Sequence, residues 1–255
     1  MKKLFTLIFA LSCLTGAQAQ VSFGNAAKIN YDWKFMPGDT AAAASAKFDD
    51  KGWQSVDLPH DWSVKGRLDP DNASCAGYLP GGTGWYRKAL DIPSGDKGKK
   101  IFIYFEGVYN RSEVYLNGHL LGKRPNGFIS FMYDATPYVR FGGENVVAVR
   151  VDHSRSADCR WYTGSGIYRN VWLVKADPLH IAQWGVYAWP SEVSTRRATL
   201  NVETEVSNEG NAERKVTVEN TLYSADGRKV AYAKKNIRTG AAATAKATMT
   251  LKVKN

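Results

Sequence analysis

Three groups of residues in this chain of 255 have the types and spacing to do chemistry. The first is DCRWYTGSGIYRNVW, Asp158 to Trp172, where a carboxylate (Asp158), a guanidinium (Arg160) and two rings (Trp161, Tyr162) precede a Gly-Ser-Gly turn. A carboxylate accepts two hydrogen bonds and a guanidinium offers a planar donor fork, so this pair can hold a polar ligand. It equally suits a surface ion pair worth under about 1 kcal/mol. Trp161 and Tyr162 have two readings as well, stacking on a ligand or packing into the core, and aromatics beside a strand entrance more often pack. The second group is His60 and Asp61 in LPHDW. A His-Asp neighbour pair suggests general base chemistry. Adjacent residues on an extended segment point to opposite faces, however, which favours a structural role in holding the long loop that follows. The third group is the nine glutamates: 106, 113, 144, 192, 203, 205, 209, 213 and 219.

The elements that must position these groups are strands. Short apolar and aromatic runs recur at Trp85 to Ile92, Ile101 to Phe105, Ser112 to Leu116, His119 to Gly122, Phe128 to Tyr133, Val146 to Val151 and Ile167 to Val174. In EVYLNGHLLG, Asn117 and Gly118 supply the positive φ angles of a two-residue hairpin turn. Phe48 to Ser63, broken by Pro59, reads as short extended pieces anchored by Trp53 and Trp62. Lys65 to Gly84 has no period and reads as a long irregular loop, of the kind that is functional or mobile. Asp177 and Pro178 mark a shift to plainly alternating segments: IAQWGVYAW, ATLNVETEV, RKVTVENTLY, KVAYAKKNI and ATAKATMTLKV. The pattern predicts an all-β protein, a first sandwich over 20–176 and an immunoglobulin-like sandwich over 177–255. The second has five strands where that fold uses about seven, so it is expected to be incomplete.

Residues 1 to 20, MKKLFTLIFALSCLTGAQAQ, have a basic start, an apolar run and a small-x-small end, which predicts a signal peptide over 1–19. The residues before Cys13 fit a lipoprotein site poorly. No other stretch reaches the roughly 18 apolar residues of a membrane span, so the expected location is periplasmic or secreted. Without Lys2 and Lys3 there are 32 basic against 24 acidic residues, split evenly about Asp177. A diffuse excess of this kind is a solvated surface and not a nucleic-acid footprint. Cys75 and Cys159 either pair in an oxidising compartment or stay free. The glycines from Gly77 to Gly84 lack the Lys-Ser/Thr pair and helix of a phosphate loop, and the four histidines are scattered. No metal and no cofactor are expected. The sequons at Asn72 and Asn110 have little weight behind a bacterial-looking leader.

Taken together, WKF with FDDKGWQSVDLPHDW, GYLPGGTGWYRKAL, FEGVYNRSEVYLNGHLLGKRPNGFISF, GGENVVAVRVD and RWYTGSGIYRNVWLV resemble the sugar-binding domain of glycoside hydrolase family 2, in its β-galactosidase-type branch. The tail from His180 resembles the family's immunoglobulin-like domain. The resemblance implies a galactose-binding-like jelly roll, hydrolysis of terminal β-glycosides with retention, and two catalytic glutamates on a (β/α)₈ barrel that follows these domains. Such chemistry needs carboxyl groups roughly 5 to 5.5 Å apart. Asn208 and Glu209 look like the family's acid/base dipeptide, but VSNEGNAERK lies between two alternating strands and reads as a hairpin turn. No catalytic residue is assigned. In the family the jelly roll lends loops to the sugar pocket, which makes Asp158, Arg160, Trp161, His60 and Asp61 the substrate-binding candidates. The expected partners are a carbohydrate, a β-galactoside or related glycan, and a catalytic barrel supplied in cis or in trans. A stand-alone carbohydrate-binding module, a β-glucuronidase and a β-mannosidase are the alternatives.

Overall fold

The computed structural model describes residues 21–155 and 159–254, without the side chains of Cys75 and Lys254. The leader, Asp158 and the pairing of Cys75 with Cys159 therefore lie outside the described residues. The strands are β1 (Asn25–Lys28), β2 (Trp33–Pro37), β3 (Gln54–Val56), β4 (Gly82–Ile92), β5 (Lys100–Phe105), β6 (Ser112–Leu116), β7 (His119–Arg124), β8 (Phe131–Asp134), β9 (Gly143–His153) and β10 (Val171–Ala176), then β11 (Leu179–Val193), β12 (Arg197–Asn208), β13 (Arg214–Tyr223), β14 (Lys229–Thr239) and β15 (Ala243–Lys254). Among the described residues the helical pieces are short 3₁₀ turns.

The first ten strands form two antiparallel sheets, ordered β3-β2-β4-β9-β6-β7 and β1-β10-β5-β8. Their facing sides enclose the core. Period-2 geometry sends alternate residues of a strand to opposite faces, so Ile101, Ile103 and Phe105 of β5 meet Val147, Val149 and Val151 of β9 in one apolar cluster. Fully burying side chains of this size stabilises by about 1.5 to 3 kcal/mol each. The turn between β6 and β7 has Asn117 at φ 53° and Gly118 at φ 89°, as their types require.

Both sheets are apolar on their outer sides too. On the six-stranded sheet, Trp85 and Ala148 are covered by Trp53 and Ala43. The covering segment is pinned by Arg87, only 2% exposed, which donates to Asp50 (2.7 Å) and to the carbonyls of Ala43 (2.5 Å) and Ser45 (2.8 Å). On the four-stranded sheet, Phe102, Tyr104, Trp172 and Val174 pack with Phe23. A strand reading KIFIYF has no solvent face, and the second sandwich supplies part of the cover. The His180 ring stacks on Phe23 at 5.0 Å and the Trp184 ring meets Tyr104 edge-on at 6.4 Å. Lys100 ties the two parts together, 2.7 Å from both Asp134 and Glu209. Asn208 turns the chain here, donating to the carbonyls of Ala212 (2.8 Å) and Gly240 (2.7 Å).

The five tail strands form a three-stranded sheet, β11-β12-β15, and the hairpin β13-β14, around Val206, Val218, Ala247 and Met249. Two expected strand starts move. β10 begins at Val171, not Ile167, because the preceding residues are held sideways: Ile167 O accepts from His60 N (2.9 Å), and the Asn170 side chain bonds those of Asn30 and Glu106 (both 2.8 Å). β8 begins at Phe131, not Phe128, because Asn126 Oδ1 accepts the amides of Phe128 (2.8 Å) and Ile129 (3.3 Å) and closes a local turn.

Candidate functional site

At one end of the first sandwich, LPHDWS is stitched to TGSGI. Asp61 is the organiser. Its Oδ1 accepts the amides of Ser63 (2.9 Å) and Ser165 (2.8 Å), and its Oδ2 accepts the Tyr162 hydroxyl. Ser165, wholly buried, bonds Ser63 Oγ (2.5 Å) and His153 Nδ1 (2.6 Å) through its hydroxyl. A serine beside a histidine invites a nucleophile reading, but this hydroxyl has no access to a substrate. It is a strut. Ser63 Oγ also bonds Pro80 O (2.6 Å) and Trp62 Nε1 donates to Gly81 O (3.0 Å), so the end of the long irregular loop is anchored to the same hub.

The glycines of the motif have a steric reason. Gly164 sits at φ +72°, and a Cβ there would come within 2.6 Å of Asp61 Oδ2. Gly166 sits at φ +125°, where a Cβ would collide with the Tyr86 hydroxyl and approach His60 O at 2.7 Å. Only a residue without a side chain lets the loop lie this close to LPHDW.

His60 points inward, buried against Phe35, with Nδ1 2.8 Å from the Tyr86 hydroxyl. Burial pushes its pKa below the ordinary imidazole value, Lys65 adds to this, and Asp61 opposes it. Burial likewise raises the Tyr86 phenol. Tyr162 is raised by burial and by its bond to Asp61. His60 and Asp61 thus face opposite ways, the first into the core and the second into the loop.

Beside this hub lies a cleft of about 200 Å³ lined by Asp71, Asn72, His153, Arg155, Trp161 and Thr163, among others. Trp161 is 61% and Tyr162 43% exposed, so the core reading of these rings fails. Arg160 is exposed next to them, while the pairing of Arg160 with Asp158 lies outside the described residues. The structure therefore brings Asp61, Trp161 and Tyr162 to one rim, with Arg160 adjacent in the chain, and withdraws His60 into the core. Ser63, Tyr86, His153 and Ser165 were not singled out from the sequence. They are polar residues of ordinary type whose separations, 102 residues for Ser63 and Ser165, gave no local signal.

The chain matches the family model for the glycosyl hydrolase family 2 sugar binding domain over residues 13–177 and that for glycosyl hydrolases family 2 over 179–255. It belongs to glycoside hydrolase family 2. Among its relatives is the β-galactosidase BoGH2A of Bacteroides ovatus, 48% identical over 204 residues, covering 79% of this chain and 24% of the relative. A β-glucuronidase of Formosa agariphila is 36% identical over 234 residues, covering 82% and 24%. The family 2 member from Bacteroides cellulosilyticus superposes with a TM-score of 0.83 at 32% identity, over 90% of this chain and 31% of that one. The family 2 chain thus spans about a quarter of the length of these curated relatives, and its two sandwiches are the family's sugar-binding and immunoglobulin-like parts.

Proposed function

We propose that these two sandwiches serve an exported β-galactosidase-type hydrolase that removes terminal β-linked galactose from oligosaccharides or glycans, and that they supply scaffold and rim to a catalytic barrel. The observation behind this reading is the rim itself, where Asp61 accepts the Tyr162 hydroxyl and the neighbouring Trp161 stands in the open. An indole and a phenol offered to solvent beside a polar cleft suit a sugar, which has apolar faces and hydroxyl edges. Within this reading Asp158 and Arg160 add hydroxyl acceptors and donors. The leader-like start supports a location in the periplasm or outside the cell. The barrel's docking face is the exposed apolar patch of Phe128, Ile129 and Trp184, which flanks an open groove of about 700 Å³ between the sandwiches. Phe128 packs on Tyr109, which packs on His153, so this patch adjoins the rim.

A β-glucuronidase is the second reading. It is favoured by the Formosa agariphila relative and by the exposed Arg160, a fitting partner for a uronate carboxylate. The test is hydrolysis of chromogenic β-galactoside and β-glucuronide by this chain alone and joined to a family barrel. Turnover of the galactoside only in the joined form is expected. Preference for the glucuronide moves the assignment to the second reading, and turnover by the chain alone overturns the proposed division of labour.

A further inference from the structure

We infer that the outer face of the sheet β11-β12-β15 is a second carbohydrate-binding platform, for a neutral glycan chain. The inner face of this sheet is identified by its buried residues, Val202 and Val206 on β12 and Ala247, Met249 and Leu251 on β15. Period 2 then places Asn201, Glu203, Thr248 and Thr250 on the outer face. Register completes the surface. Trp189 lies opposite Asn201, which lies opposite Thr250; one step along, Tyr187 lies opposite Glu203.

The result is a row of ring, amide and hydroxyl running across three strands. Tyr187 and Trp189 stack on each other at 5.1 Å with 24° between their planes, and Tyr187 is 64% exposed. Thr250 Oγ1 donates to Asn201 Oδ1 (2.9 Å), which orients the Asn201 side chain. Lys246 reaches Glu203 at 2.8 Å and Glu205 at 3.7 Å, and Arg197 pairs with Glu192 at 3.6 Å, so that with Lys252 the cations Arg197, Lys246 and Lys252 are matched by Glu192, Glu203 and Glu205. That balance argues against a phosphate backbone or an anionic membrane, both of which need a basic surface. A stacked ring pair, Tyr187 exposed and Trp189 half-buried, with a fixed amide and hydroxyl alongside presents both surfaces a pyranose needs: an apolar plate for its C–H face and donors and acceptors for its hydroxyls. The components sit on paired strands and are already ordered, so little side-chain freedom is lost on binding.

The platform lies on the second sandwich and Trp161 on the first, which lets an experiment separate them. The chain would be titrated calorimetrically with β-1,4-galactotetraose, alongside the variants Tyr187→Ala, Asn201→Ala and Trp161→Ala, with thermal unfolding of each as a folding control. Binding that weakens about tenfold in Tyr187→Ala and several-fold in Asn201→Ala, but persists in Trp161→Ala, supports the platform. Tyr187 is exposed and Asn201 lies on a solvent face, so both variants are expected to unfold at the parent temperature. Binding lost only in Trp161→Ala overturns the platform while leaving the rim in place. No saturable heat at millimolar tetraose, or unchanged affinity in both sheet variants, overturns it outright.

Discussion

Replacing Asp61 by alanine removes three hydrogen bonds at once, and the structure says which of them matter. The Ser63 and Ser165 residues whose amides it accepts are 3% and 0% exposed. Each amide left without a partner costs about 1 to 3 kcal/mol. Tyr162, 43% exposed, finds water and contributes little. The expected loss is therefore about 3 kcal/mol, within the range for breaking a buried polar network. For a domain of this size that lowers the unfolding midpoint by about 6 to 12 °C. Where opening is local, the Ser165 amide should exchange with solvent about a hundredfold faster, since 1.4 kcal/mol is a factor of ten. Thermal unfolding read by tryptophan fluorescence and hydrogen exchange read by mass spectrometry measure the two quantities. A fall below about 2 °C together with unchanged exchange across Thr163 to Ile167 would refute the claim that Asp61 holds the rim.

Gly166→Ala should unfold at lower temperature or fail to accumulate, because its Cβ meets the Tyr86 hydroxyl and His60 O; expression and midpoint equal to the parent would contradict this. His60 has a pKa below the imidazole norm, since burial disfavours its charged form. Its contribution is present above about pH 6.5 and is lost as pH falls below it, so the urea midpoint should drop between pH 7.5 and 5.5 and drop less in His60→Gln. Lys100 is raised above its norm by Asp134 and Glu209 although burial opposes them, and Asp134 is lowered, again against burial, by Lys100 and Thr136. The charge on Lys100, and with it the tie to Glu209, should therefore persist up to about pH 10 and be lost above it, while the bond from Lys100 to Asp134 within the first sandwich should weaken as pH falls below about 4. Lys100→Ala should cost about 1 kcal/mol and speed proteolysis near Asp177 and Pro178; equal cleavage rates would show that Lys100 is not a tie.

Much of this architecture can be read from the sequence because its signals are local. Asn117 and Gly118 announce their turn by residue type alone, and the alternation of ATLNVETEV fixes which residues of β12 face inward. The strand starts at Ile167 and Phe128 could not be placed that way. There the backbone is captured by side chains, those of Asn170 and Asn126, that compete with the ladder. Arg87 gave no sign of its burial, because apart from Asp50 its partners are carbonyls, which a sequence does not display. At the rim, residue types drew attention to Asp61, Arg160 and Trp161, but the exposure of the rings went against the usual fate of aromatics. The coupling of Ser63 to Ser165 depends on a fold that brings distant positions together.

The placement of β1 has a consequence for how the molecule is made. Among the described residues β1 is the first strand, yet its partner is β10, and Lys28 meets Trp172, 144 residues later. β5 waits for β10 as well, so the four-stranded sheet has no centre until residue 176 is available. Closing a loop of that size costs about 4 kcal/mol in chain entropy beyond a constant term, and contacts this distant slow folding. A chain emerging from its N-terminus thus cannot complete this sheet until nearly the whole first sandwich has appeared, which would leave it open to threading under the export proposed above.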